Sequence, residues 1–257
     1  MIEVGEAAIN VERRGSGPPV LLLHGFPETL AMWRDVAPLL AERFSVVCAD
    51  LRGYGGSGCP PSAPDHAPYS KRALARDMVG VMARLGFDRF SIAGHDRGGR
   101  VAYRAALDHP QRIERLAILD VVPIDAAWAR ADDRFALGFW PWSLLAQAEP
   151  LPERLVGAAP EAVIDHALNS EWGTPPDAFA PDARAVSRAA AGPRPPPCDL
   201  RGVPGRGRHR PGARPRRSHV GASDRLPGAR ALEWGWAARI LVCRGWRAAG
   251  DLARAGG

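Results

Sequence analysis

The sequence predicts an α/β fold, a mostly parallel sheet covered on both faces by helices and roofed by a helical lid. Two observations predict it. Short apolar runs, Pro19 to His24 (PVLLLH), Phe44 to Ala49 (FSVVCA), Phe90 to Ala93 and Leu116 to Asp120, alternate with segments of helical spacing. After Asp120 the pattern changes to helical stretches without a clear strand, punctuated by Pro141, Pro150, Pro152, Pro160, Pro175, Pro176 and Pro181. That change reads as a lid over the sheet's carboxyl edge.

Each element follows from its own residues. Val4 to Arg13 suits a short hairpin or paired strands. PVLLLH is apolar without alternation, as a strand buried on both faces requires. Glu28 to Glu42 has helical spacing at Leu30, Trp33, Val36, Leu39 and Leu40. FSVVCA is the next buried strand, and a loop rich in glycine (Gly53, Gly55, Gly56, Gly58) and proline (Pro60, Pro61) follows it. Ser70 to Leu85 places Leu74, Met78, Val81 and Leu85 on one helical face. Phe90 to Ala93 is a short strand, Gly98 to Leu107 a helix ended before Pro110, and Leu116 to Asp120 a further strand. The expected organisation is a core over 1–125, a lid over 126–190 and a tail over 191–257.

The tail differs in kind. It holds 12 Gly and 8 Pro in 67 residues, and only Ala229 to Val242 offers a modest apolar run. Pro195-Pro196-Pro197 and Arg214-Pro215-Arg216-Arg217 fit neither a helix nor a strand interior. Arginine, glycine, proline and alanine together are what a GC-rich coding region yields when read out of frame. The expectation is a frameshift near residue 190; the alternative is a genuine disordered tail. Either way the C-terminal part of the fold is expected to be incomplete or disordered.

The net charge of +6 belongs to that tail, which carries 14 Arg against four acids, while residues 1–190 carry 20 basic and 24 acidic residues. The arginines alternate with Gly, Pro and Ala rather than aromatics, so nucleic-acid binding is not expected. No run of 18 apolar residues and no signal-peptide pattern occurs, so neither a membrane span nor export is expected, and the location read is cytoplasmic. Cys48, Cys59, Cys198 and Cys243 form no C-x-x-C, which suggests neither a zinc site nor a disulfide framework.

Chemistry concentrates in three motifs. Gly94-His95-Asp96-Arg97-Gly98-Gly99 follows a strand and opens a helix, the context of a nucleophile elbow, with aspartate where serine is usual. No G-x-S-x-G occurs in the chain. A carboxylate there attacks carbon directly, displaces a leaving group and leaves an ester that water must hydrolyse. The plainer reading is an aspartate capping the helix. His24-Gly25-Phe26-Pro27 directly follows the first buried strand, where such folds place an oxyanion-hole loop. Its expected backbone donors are Phe26 and Arg97, with His24, Gly25 and Pro27 supporting the loop. Asp50-Leu51-Arg52-Gly53-Tyr54-Gly55-Gly56-Ser57 reads as packing beneath the site.

The order HGFP, DLRGYGGS, GHDRGGR and LDVVP resembles the fluoroacetate (haloacetate) dehalogenases of the α/β-hydrolase superfamily over roughly residues 1–190. The resemblance implies an α/β-hydrolase fold, Asp96 as nucleophile, and Arg97 and Arg100 as the pair holding a substrate carboxylate. Guanidinium groups suit that task because they bind carboxylates bidentately. It also implies Asp120, in Leu119-Asp120-Val121-Val122-Pro123, as the acid orienting a catalytic histidine. The expected partner is a small anionic substrate, water is the co-substrate, no metal or organic cofactor is implied, and a homodimer is left open.

The sequence also departs from the family. The lid's His-Trp pair for the departing halide is here Pro141-Trp142, so Trp142 keeps its indole N–H and proline offers no donor. Defluorination is therefore less expected than activity on a chloro- or bromo-acid. A further halide-binding tyrosine would lie beyond residue 190. None of His24, His66, His95, His109, His166, His209 and His219 stands in a Gly-His context near the C-terminus, so the triad histidine stays unassigned. The alternatives are an epoxide hydrolase, another α/β-hydrolase, or a catalytically dead, truncated hydrolase. An epoxide hydrolase usually needs lid tyrosines, and the tyrosines are Tyr54, Tyr69 and Tyr103, all before the lid.

Overall fold

The computed structural model describes residues 1–169 together with 229–234 and 238–243. Strands β1 (Ile2–Val4) and β2 (Ala7–Ile9) form a separate antiparallel ribbon. The main sheet has the order β3-β5-β4-β6-β7-β9-β8, built from β3 (Val11–Arg14), β4 (Pro19–Leu23), β5 (Ser45–Ala49), β6 (Phe90–His95), β7 (Ile113–Leu119), β8 (Ala229–Trp234) and β9 (Ala238–Cys243). Strands β5, β4, β6 and β7 are mutually parallel, and β3 closes one edge antiparallel to β5. The apolar runs read as strands are strands, and every residue of β5 is buried.

The sheet's register builds the site. Leu23 of β4 pairs with Gly94 of β6, and His95 of β6 pairs with Leu119 of β7. The residues just after these positions, 24–26, 96–97 and 120, therefore emerge side by side at the carboxyl edge, where open α/β sheets hold ligands.

One expected helix is broken. Glu28 to Glu42 forms a 3₁₀ turn over Leu30–Trp33 and then α1 (Val36–Ala41). Pro38 explains the restart, because proline is accepted in a first helical turn but not in an interior. Helix α2 (Lys71–Arg84) begins where Ser70 accepts the Ala73 N–H at 3.2 Å, and its buried Leu74, Met78, Val81 and Met82 join the main core. Helix α3 (Asp96–Asp108) starts two residues earlier than its apolar spacing suggests. A second, smaller core joins Leu22, Trp33, Ala37, Val46 and Cys48 on the other sheet face.

Five short helices follow β7: α4 (Ile124–Ala129), α5 (Asp133–Gly138), α6 (Trp140–Leu145), α7 (Leu151–Ala158) and α8 (Pro160–Asn169). No strand lies among them, as the proline-punctuated pattern predicts. The sequence reading placed no strand after Asp120, whereas β8 and β9 pair antiparallel with each other and β9 with β7. The modest apolar run Ala229 to Val242 supplies both strands, and an unpaired sheet edge attracts any segment able to extend. The rest of the tail, including Cys198, His209, His219 and the point of the expected frameshift, lies outside the described residues.

Cys48 is free and buried, while Cys59 is disulfide-bonded, which cysteine spacing did not suggest. Pairing is decided by proximity in space, not by spacing in the chain. Among the described residues, no helix is long and apolar enough to cross a membrane, and no cluster of three metal-ligating side chains occurs.

Candidate active site

Two glycines allow the bend at Asp96. A Cβ on Gly94 would stand 2.3 Å from the Gly98 carbonyl carbon and oxygen, and one on Gly98 would stand 2.5 Å from the Leu23 and His24 carbonyl oxygens. Backbone atoms cannot step aside, so strand β6, helix α3 and the loop after β4 meet only because both positions lack side chains. Asp96 itself has φ 42°, a left-handed conformation that costs any residue with a Cβ.

Asp96 does not cap its helix. It is the first helical residue, His95 holds the cap position, and both carboxylate oxygens are engaged elsewhere. Oδ2 accepts the Phe26 N–H at 3.1 Å, and Oδ1 accepts from Arg100 Nη1 at 2.5 Å. The side chain is 27% exposed, at the sheet's rim rather than in solvent or the core. Burial by itself would push this carboxyl up. The Arg100 and Arg97 guanidiniums, with the Phe26 N–H, outweigh burial and hold it at about 2.

The two arginines behave differently. Arg97 is buried, donates Nη1 to the Tyr54 hydroxyl at 2.8 Å, and lies 5.0 Å from the Phe26 ring centroid and 5.9 Å from that of Tyr54. Arg100, with a side chain 10% exposed, binds Asp96 and stacks on Trp142 at 4.3 Å. Its Nε is buried and has no hydrogen-bond partner among the described residues. Trp142 belongs to an aromatic cluster with Trp128 at 5.8 Å and Phe135 at 5.6 Å, so α4, α5 and α6 meet above the arginine.

The loop after β4 is held from below. His24 is fully buried; its Nδ1 donates to the Gly25 carbonyl at 2.8 Å and its Nε2 accepts the Leu51 N–H at 2.9 Å. Burial lowers its pKa, which agrees with a neutral ring that donates on one side and accepts on the other. Buried Asp50 accepts from the Leu30 N–H at 2.7 Å, the Gly56 N–H at 2.8 Å and Asn10 Nδ2 at 2.8 Å. The glycine-rich segment is thus a bracket under the site, and Arg52 fastens it to α2 through Asp77 at 2.7 and 2.8 Å. Gly25 and Pro27 are buried, with Phe26 half-buried between them.

Sequence reasoning missed one pair. Glu28 Oε2 accepts the Gly25 N–H at 3.0 Å and lies 3.1 Å from His95 Nδ1. Burial works to lower the His95 pKa, but its bond to Glu28 outweighs that and leaves it raised. The signal was present, an acid just after HGFP and a histidine just before the nucleophile, but nothing local says that residues 67 apart meet. Asp120 stands at the end of β7 with φ 49°, exposed, and its charge helps to raise His95. The histidine it is expected to orient was never assigned, and His209 and His219 lie outside the described residues.

These features agree with what comparison finds. Residues 18–162 match the family model described as the alpha/beta hydrolase fold. A fluoroacetate dehalogenase of Burkholderia sp. is 49% identical over 182 residues, 71% of this chain and 60% of that protein. A soluble epoxide hydrolase of Corynebacterium sp. (strain C12) is 44% identical over 160 residues, 62% of this chain and 47% of that protein. The chain therefore spans 47–60% of the length of these two relatives. A solved structure of a candidate alpha/beta hydrolase from Nostoc sp. PCC 7120 superposes with a TM-score of 0.73 at 44% identity, covering 79% of this chain and 70% of that one. With more than half of its length matched and an elbow that only glycine-flanked backbone allows, the chain belongs to the alpha/beta hydrolase fold family.

Proposed function

We propose that this protein acts on the carbon–halogen bond of short 2-haloacids through an alkyl ester on Asp96. The observation that carries the reading is a carboxylate on the elbow, one oxygen on the Phe26 N–H, with two guanidiniums beside it. A fold hosts many chemistries; this constellation, not the fold, points to this one.

In the proposed reaction the substrate carboxylate is held by Arg97 and Arg100. An Asp96 oxygen attacks the carbon bearing the halogen, the new C–O bond forms, and the halide leaves with the bonding pair from beside Trp142. The ester carbonyl oxygen then faces the Phe26 N–H, and the Arg97 N–H is the second donor expected to stabilise the oxyanion formed when water attacks. Loop support comes from His24, Gly25 and Pro27, and Asp120 would orient the base. Pro141 offers no donor where the family has histidine, which favours chloride or bromide over fluoride as the leaving group. Without an assigned histidine, alkylation of Asp96 is the half-reaction expected of this chain, and hydrolysis of the ester is expected to lag.

Incubation with bromoacetate followed by intact-protein mass spectrometry tests this, with Asp96→Ala as the control that separates cysteine alkylation. A folded sample showing no Asp96-dependent adduct overturns the assignment. The same proposal includes a core over 1–125, a lid over 126–190 and a tail over 191–257, a cytoplasmic location and no nucleic-acid partner; light scattering decides between a monomer and the homodimer left open by the sequence. Reading the gene in its other frames tests the frameshift: strand–helix periodicity and a late Gly-His are expected in one of them.

A further inference from the structure

We infer that Arg100 is an anion-operated gate on Asp96: a substrate bearing its own carboxylate releases the nucleophile, and a neutral one does not. The inference rests on the reading of Asp96 as nucleophile and goes beyond it, because holding a carboxylate is a binding role and withholding an oxygen is a kinetic one.

The two Asp96 oxygens are held in different ways. Oδ2 is fixed by a backbone donor, the Phe26 N–H at 3.1 Å, which no substrate can displace without moving the loop. Oδ1 is held by one side chain, Arg100 Nη1, at 2.5 Å. An oxygen engaged in a charge-assisted hydrogen bond has one of its two lone pairs committed and its charge stabilised, so its attack on carbon is slowed for as long as that bond holds. Oδ1 is thus the oxygen that can be set free, and Arg100 decides when.

Arg100 cannot let go unaided. Its side chain is 10% exposed, and a guanidinium buried to that degree is not left without an anion. A haloacetamide or an epoxide offers no charge to replace Asp96, whereas a haloacetate does. Its carboxylate has two oxygens, and Arg100 has donors to spare for them, among them the buried Nε, which has no partner among the described residues. The Trp142 ring, 4.3 Å from the Arg100 guanidinium carbon, holds the charge beside Asp96 while it changes partner. The charges agree. Two guanidiniums face the single carboxylate of Asp96, and a monoanionic substrate supplies the missing negative charge. In the step itself Oδ1 bonds to carbon, bromide departs with the electron pair, and no proton moves. Asp96 becomes a neutral ester while Arg100 keeps the substrate carboxylate.

Bromoacetate and bromoacetamide test the gate, since they share carbon and leaving group and differ in charge. The full chain is treated with each, and labelling at Asp96 is followed by peptide mapping, which scores cysteine adducts separately. Rates are divided by those of free acetate with the same reagents. Wild type is expected to favour bromoacetate by about tenfold to a hundredfold, the size of one charge-assisted hydrogen bond. In Arg100→Met the bromoacetate rate falls and the bromoacetamide rate rises about tenfold above wild type. That rise is the discriminating result, because a residue that only binds carboxylate would leave the neutral reagent unchanged. Should Arg100→Met fail to fold by circular dichroism, Arg100→Lys, which keeps the charge but lacks the fork, is expected to show a smaller rise. A folded variant without any rise overturns the gate, as do equal rates for both reagents in wild type, and both leave the nucleophile standing. Labelling of Asp96 by neither reagent in any version removes nucleophile and gate together.

Discussion

Replacing Asp96 by asparagine tests how the site holds its charge. Asparagine tolerates left-handed backbone as well as aspartate does, so φ 42° is kept and ionisation is lost. The carboxyl is lowered from 3.8 to about 2, a shift worth about 2 kcal/mol of stability. Because the folded value is the lower one, this contribution is complete above pH 3.8 and is lost as pH falls through 2. At pH 3 about 1 kcal/mol should remain. The asparagine amide also sets an N–H against a donor, Phe26 N–H or Arg100, which adds about 1 kcal/mol at every pH. Urea unfolding of wild type and Asp96→Asn at pH 7 and pH 3 should therefore give a difference of about 3 kcal/mol that shrinks by about 1. A difference independent of pH, or a variant more stable than wild type at pH 7, would falsify the claim that Arg100 and Arg97 hold an ionised Asp96.

Further consequences concern the frame around the site. Gly98→Ala puts a Cβ 2.5 Å from two backbone carbonyl oxygens and should cost at least about 3 kcal/mol in thermal melts, while Gly138→Ala, with nothing within 4 Å, should stay within about 0.5 kcal/mol. Arg52→Met strands the buried Asp77, whose pKa burial already raises despite its arginine; the loss should be about 3–5 kcal/mol, with much of it recovered by adding Asp77→Leu. Glu28→Gln should lower the His95 pKa, read from the imidazole proton signals by NMR titration. His95 is raised above 6.5, so its contribution is full below that pH and lost as pH rises through the raised value; the variant should lack that alkaline loss of stability.

The strands were legible because a segment buried on both faces must be largely apolar, as PVLLL and SVVCA are. The elbow was legible for a related reason: Gly94 and Gly98 stand within five residues and declare a close approach that any Cβ would block. The helix expected over Glu28 to Glu42 was not, because apolar spacing outweighed Pro38, which allows a start at Val36 but no continuous helix through it. The strands at 229–234 and 238–243 went unread because composition is judged over a whole tail, whereas pairing needs only six residues beside an open edge.

By itself the sequence determined the alternation of strand and helix, the aspartate at the bend, and the residue types that surround it, since each is a property of a few neighbouring residues. The tertiary structure decided which of them touch. Pairing Leu23 with Gly94 sets the Phe26 N–H against Asp96, 70 residues away, and the packing of α4 to α6 sets Trp142 on Arg100. Those contacts depend on sheet register and helix packing, which no local pattern encodes, because the energies that select them are summed over the whole core.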